Sequence, residues 1–144
     1  MSLPPAFWDS SALVPLCVLQ PQTAKAQFLY KKYSVVAWWA TQVEMLSGLA
    51  RLERMREISR ERFLVGKEFA KTIARGWASV GSPERIVTYA CSLLEVYPLS
   101  AADSLQLAAA LEACESKPQG YVFVTADQRL AEAARQTGFT VEFV

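Results

Sequence analysis

Gly120-Tyr121-Val122-Phe123-Val124-Thr125-Ala126-Asp127-Gln128-Arg129-Leu130 decides the fold. Gly120 to Thr125 is the clearest strand in the chain, an unbroken β-branched and aromatic run that follows the turn Lys117-Pro118-Gln119-Gly120. Asp127 to Thr137 follows as a helix closed by Gly138, and Phe139 to Val144 as a last strand. Strands separated by helices build a parallel sheet.

Working outward, the same alternation recurs. Leu3 to Trp8 reads as a short strand with Pro4 and Pro5 confined to its start. Ser10 or Ser11 can cap a short helix that Pro15 keeps irregular. Thr23 to Tyr33 is expected to be helical and Ser34 to Trp38 a buried strand. Thr41 to about Met55 forms a helix, with Val43, Leu46 and Ala50 on one face and Met45, Leu49 and Leu52 beside it. A further helix runs from Ser59 toward Val80. Gly81-Ser82-Pro83 breaks it, with Ser82 as cap of a helix to about Leu94. Val96 to Leu99 is a short extended piece, and Ser100 caps a helix to about Glu115. The expectation is one α/β domain over 1–144, with a central parallel sheet of four to five strands flanked by helices.

Composition removes several classes of function. A chain of 144 residues, 52% hydrophobic, is the size of one domain with a real core. No apolar run reaches the ~18 residues of a membrane span, and the N-terminus has no signal-peptide pattern. The expected location is the cytoplasm, without a membrane partner. There is no histidine, which excludes a Ser-His-Asp triad and His-ligated zinc. Cys17, Cys91 and Cys114 form no C-x-x-C, so they read as buried free thiols. No G-x-G-x-x-G occurs, and Gly66-Lys67 lacks the rest of a phosphate loop, so no nucleotide cofactor is expected.

The acids carry more. Asp9, Asp103 and Asp127 are the chain's three aspartates. Each reads as standing where an extended segment gives way to a helix, and Glu44 stands at a fourth such place. In a parallel sheet those places share the carboxyl edge of the strands, where ligands bind. Four carboxylates gathered there raise one another's pKa unless a cation compensates them. Oxygen-only ligands suit Mg2+ or Mn2+. Each position also has an ordinary reading: Thr41-x-x-Glu44 as a capping box, Ser100-x-x-Asp103 as a similar one, Asp127 or Thr125 as an N-cap, and Asp9 as a cap or Asx-turn residue. Capping is the favoured reading for Glu44 and Asp127 taken singly. Asp103 differs, because its helix is apolar nearly all round and a carboxylate there needs either a metal or an arginine from elsewhere.

Phe7-Trp8-Asp9-Ser10-Ser11-Ala12-Leu13, Glu44, Ala102-Asp103-Ser104-Leu105-Gln106-Leu107-Ala108-Ala109-Ala110-Leu111 and Phe123-Val124-Thr125-Ala126-Asp127-Gln128-Arg129-Leu130 together resemble the PIN-domain family. Within it they look most like VapC-type toxins of toxin–antitoxin pairs. The resemblance covers essentially the whole chain. It implies an Mg2+- or Mn2+-dependent endoribonuclease that hydrolyses phosphodiester bonds of structured RNA with metal-activated water, leaving a 5′-phosphate and a 3′-hydroxyl. It also implies a homodimer and an inhibiting antitoxin from the adjacent gene. By position, Asp9, Glu44, Asp103 and Asp127 become the catalytic and metal-site acids. Ser11 and Thr125 become hydroxyls that orient those acids or bind a phosphate. Gln106 replaces a histidine common in relatives, and Ser100 stands where relatives often carry arginine.

Eight of the fifteen basic residues (Arg51, Arg54, Arg56, Arg60, Arg62, Lys67, Lys71 and Arg75) fall in one stretch read as helical. Arg51, Arg54, Arg56 and Arg60 are candidate RNA contacts. The equal alternative is a solvated face with pairs such as Glu53–Arg56 and Glu57–Arg60. Trp8, Trp38, Trp39 and Trp77 read as core, with Trp38 or Trp39 as an optional base platform. Met45 and Met55, with Leu46, Leu49 and Leu52, read as core or as a groove for a partner helix. Two other functions remain open: a PIN-like module that binds RNA or protein without cutting, and a small-substrate phosphohydrolase with an aspartyl nucleophile. Asp9-Ser10-Ser11 lacks the second aspartate that the latter would use.

Overall fold

A computed structural model of the chain describes residues 2–144. Its elements run β1 (Pro5–Trp8), α1 (Ser10–Cys17), α2 (Thr23–Lys32), β2 (Ser34–Trp38), α3 (Thr41–Arg54), α4 (Arg60–Gly76), β3 (Ala78–Val80), α5 (Pro83–Leu94), α6 (Ala101–Ala113), β4 (Val122–Thr125), α7 (Gln128–Thr137) and β5 (Thr140–Phe143). The five strands form one sheet in the order β3-β2-β1-β4-β5, and every pairing is parallel.

Alternation along the strands sorts the core into two layers. Ala6 and Trp8 of β1, Val35 and Ala37 of β2 and Val124 of β4 pack beneath α1 to α4, with Leu13, Leu29, Met45, Leu49, Phe63 and Ile73. Phe7, Trp38 and Phe123 point the other way, beneath α5 to α7, with Ile86, Leu107, Leu111 and Leu130. Phe7 and Phe123 stack at 5.6 Å on adjacent strands. The sheet is therefore covered on both faces, as an all-parallel sheet must be.

The caps follow the sequence with three exceptions. Gly138 takes φ 118° and its N–H closes α7 on Ala134, as a terminating glycine does. Ser59 and Ser100 cap α4 and α6. At α1, neither Ser10 nor Ser11 is the N-cap; Asp9 is, as the cap reading of that residue expects. Ser82 occupies the cap position of α5 but is left-handed and makes no side-chain bond. The Thr41–Glu44 capping box does not form: Ala40 is the cap residue of α3, and Thr41 is already helical.

Two element assignments change. The helix expected to run to Val80 ends at Gly76, and Ala78–Val80 instead joins the sheet edge beside β2. Val96 to Leu99 is not a strand but the connection between α5 and α6, its N–H groups turning back onto Leu93 and Tyr97. No helix of the described residues is long and apolar enough to cross a membrane.

Candidate functional site

The strand order reverses at β1. The chain moves from β1 out to β2 and β3, then returns to place β4 on the other side of β1. This switch point opens a crevice at the carboxyl ends of β1 and β4. Asp9 follows β1 and Asp127 follows β4, so the two aspartates flank it. The two turns are tied together, since Asp9 N–H donates to Val124 O at 3.0 Å.

Asp9 is buried and strongly held. It accepts from Thr125 Oγ1 at 2.9 Å, from Ser11 N–H at 3.3 Å and from the Ser11 hydroxyl. The two hydroxyls are themselves oriented: Ser11 Oγ accepts from Ala126 N–H at 2.9 Å and Thr125 Oγ1 accepts from Asp127 N–H at 3.0 Å. Each hydroxyl thus accepts a hydrogen bond from the β4–α7 turn and donates its own hydrogen to Asp9. Burial raises the Asp9 pKa, the hydroxyl bonds oppose it, and the charge of Asp127 adds to the rise. Asp127 caps α7, its Oδ1 accepting from Leu130 N–H at 3.0 Å. Capping and site membership are compatible, because the second oxygen stays available.

Glu44 and Asp103 reach the same place by other routes. Neither springs directly from a strand end, contrary to the expectation. Glu44 lies in the first turn of α3, and Asp103 in the first turn of α6, which follows α5. Burial, then the charges of Asp9 and Asp103, push Glu44 up to about 7 against a bond from Gln106. Burial, then the charges of Asp127 and Asp9, push Asp103 up to about 6. The opposing influences on Asp103 are the Ser100 bond and, smallest, the charge of Arg129. So a cation from elsewhere does reach the neighbourhood of Asp103, although it makes no ion pair with it; among the described residues none of the four acids is in an ion pair.

Solved structures share this architecture. PAE2754 from Pyrobaculum aerophilum matches with a TM-score of 0.63 over 96% of this chain and 89% of its own, at 17% identity. FitAcB from Neisseria gonorrhoeae matches with a TM-score of 0.63 over 96% of each chain, at 16% identity. The chain has a PIN-like fold. At these identities the likeness concerns the fold alone. No protein-family model matches the sequence, and no curated protein matches it.

The fold places the carboxylates near enough that Asp9 and Asp103 act on Glu44, and Asp127 acts on Asp9 and Asp103. Their donor chemistry, oxygen-only and without a paired cation, suits a hard divalent ion. Among the described residues no three acids stand close enough together to hold an ion as they are. The fit is thus one of donor type and charge.

A groove of about 500 Å³ leads away from the acids, lined by Ser10, Ser11, Gln20, Gln22, Glu44, Ser47, Arg51 and Arg54 among others. Arg51 is seven residues beyond Glu44, two helical turns and ~10 Å along the same side of α3. The arginine stretch is not one helix. α3 ends at Arg54, Arg56 turns back with φ 59°, and α4 starts at Arg60. Arg60 pairs with Glu53 at 3.2 Å, replacing both expected pairs, and lines with Arg56 a separate recess. The structure therefore divides the four candidate arginines into two beside the acids and two apart from them.

The remaining candidates also divide. Met45, Leu49 and Leu52 are core, whereas Val43, Leu46 and Met55 are exposed. Of the thiols expected to be buried, Cys114 is buried, Cys17 is half-buried, and Cys91 is exposed on α5. Trp8 and Trp38 are buried, and Trp39 lies exposed against Trp38 at 5.2 Å. Gln106, noticed in the sequence only through the resemblance, proves to touch the site. A single amide within an apolar helix was the available signal.

Proposed function

We propose that this chain is a divalent-metal-dependent endoribonuclease and the toxin of a toxin–antitoxin pair. The observation that carries the reading is the acidic cluster itself. Four carboxylates stand at the ligand-binding edge of a PIN-like sheet, and Glu44 is pushed up to about 7 by burial first and by the charges of Asp9 and Asp103 after it, with no ion pair among the described residues to offset them. An unpaired cluster of this kind is unfavourable for folding and calls for a function. Asp9, Glu44, Asp103 and Asp127 would hold Mg2+ or Mn2+, which when bound makes water a better nucleophile and offsets charge on a transferring phosphoryl group.

The chain's own groups supply the rest. Ser11 and Thr125 hold Asp9 in one orientation through the bonds described above, so the acid is preorganised. Arg51 and Arg54 stand along the groove, where they would pair with phosphates of an RNA strand leading to the acids. Water attacks phosphorus in line, the bond to the leaving 3′-oxygen breaks, and the products carry a 5′-phosphate and a 3′-hydroxyl. The antitoxin and a second copy of the chain are the partners that the resemblance to VapC-type toxins implies.

The wide spacing of the acids favours one other reading, a PIN-like module that binds RNA without cutting. Cleavage of an RNA pool by the purified chain separates the two. The expected result is cleavage that needs Mn2+ or Mg2+, stops in chelator and is abolished by Asp9→Asn without loss of fold. RNA binding with no cleavage in either metal would establish the non-cutting module.

A further inference from the structure

We infer that Gln106 is the positioning residue for Glu44, and that its amide sets where this carboxylate stands within the acidic cluster. Gln106 is fully buried in α6, among buried Leu107, Ala108, Ala109 and Ala110. An amide in such surroundings is unfavourable unless it is bonded. Its Nε2 donates to Thr41 Oγ1 at 3.2 Å and to Glu44 Oε1, so both amide hydrogens are used on α3. Its Oε1 has no partner among the described residues. The polar group is thus satisfied only on the side that grips Glu44, whereas a purely structural amide is usually satisfied at both ends.

Two further features support this assignment. Thr41 is fully buried and spends its hydroxyl on Gln106 instead of capping α3, which fixes the plane of the amide. Asp103 lies three residues before Gln106, on the same side of α6. One helix therefore presents one acid directly and holds a second by its neighbour. Among the described residues Gln106 is the one hydrogen-bond partner of the Glu44 carboxylate.

The inference rests on the reading of Glu44 as a metal-site acid, and the experiment separates the two. The full chain and its Glu44→Gln, Gln106→Met, Gln106→His and Thr41→Val variants are titrated with Mn2+ by calorimetry, with metal-free melting measured alongside. Gln106→Met should weaken Mn2+ binding about tenfold, the scale of lost support behind a metal ligand. Its metal-free melting temperature should stay near that of the parent, because the substitution also removes the unpartnered oxygen. Gln106→His restores an N–H and should recover most of the affinity. If Gln106→Met binds Mn2+ within twofold of the parent while Glu44→Gln binds weakly, the positioning role falls and the metal reading stands. A histidine variant no better than the methionine one also overturns it. Glu44→Gln binding as tightly as the parent overturns both. Should Gln106→Met not fold, Thr41→Val decides: weakened binding at unchanged metal-free stability supports the role, and parental binding refutes it.

Discussion

Replacing Glu44 by glutamine should stabilise the metal-free chain above neutral pH and do nothing in acid. Folding moves this carboxyl from its ordinary 4.5 to about 7, through burial first and the neighbouring acids second. A raised carboxyl disfavours the folded state once it ionises. Below about pH 4.5 both states carry the proton and the cost is absent; it grows between the two values and is complete above about 7. At about 1.4 kcal/mol for each pH unit between them, full desolvation would cost about 3 kcal/mol. Glu44 is only half-buried, and solvent screening reduces this to about 1–2 kcal/mol. Glutamine keeps the shape and can still accept from Gln106, so the variant should melt about 5 °C higher at pH 8 in chelator. At pH 4.5 the two proteins should melt together. Thermal melts of both proteins across pH 4.5 to 8.5, in chelator and in millimolar Mn2+, read this out. In Mn2+ the order should reverse, because binding to the folded state stabilises the parent by mass action. A gain of equal size at pH 4.5 and pH 8 would show that it comes from packing and not from charge, and would refute the reasoning.

Two other expectations follow from geometry. Arg51→Ala with Arg54→Ala should weaken RNA binding and flatten its dependence on salt by about 1.4 in log–log slope for a single strand, whereas Arg56→Ala with Arg60→Ala should leave the slope unchanged; binding isotherms at several salt concentrations compare them. Gly66→Ala should destabilise by about 1–3 kcal/mol in urea unfolding, because its Cβ would stand 2.9 Å from Val18 Cγ1 and 3.1 Å from the Cys17 carbonyl oxygen. Gly76→Ala, with nothing within 4 Å, should cost nothing.

The sequence by itself determined the alternation of elements and the two acids at the switch point. Residues 120–144 carry a β-branched run, a capped helix and a closing glycine, all local signals that tertiary contacts do not contest. Asp9 and Asp127 were legible for the same reason: each lies within two residues of a strand's end, and the parallel sheet brings both strand ends to one edge. β3 was not legible. Ala78–Val80 has no strand pattern of its own, and it is extended because the exposed edge of β2 offers it a backbone ladder. The tertiary structure alone decided how Glu44 and Asp103 meet the other acids, since both sit inside helices whose placement depends on packing against the sheet. It also decided that Thr41 serves Gln106 and not a capping box, because a buried amide without a partner costs more than an unmade cap. The arginines were divided in the same way. The break between the two helices was legible, but not the turn at Arg56 that sends α4 back along α3 and leaves, of the four candidates, Arg51 and Arg54 on the groove.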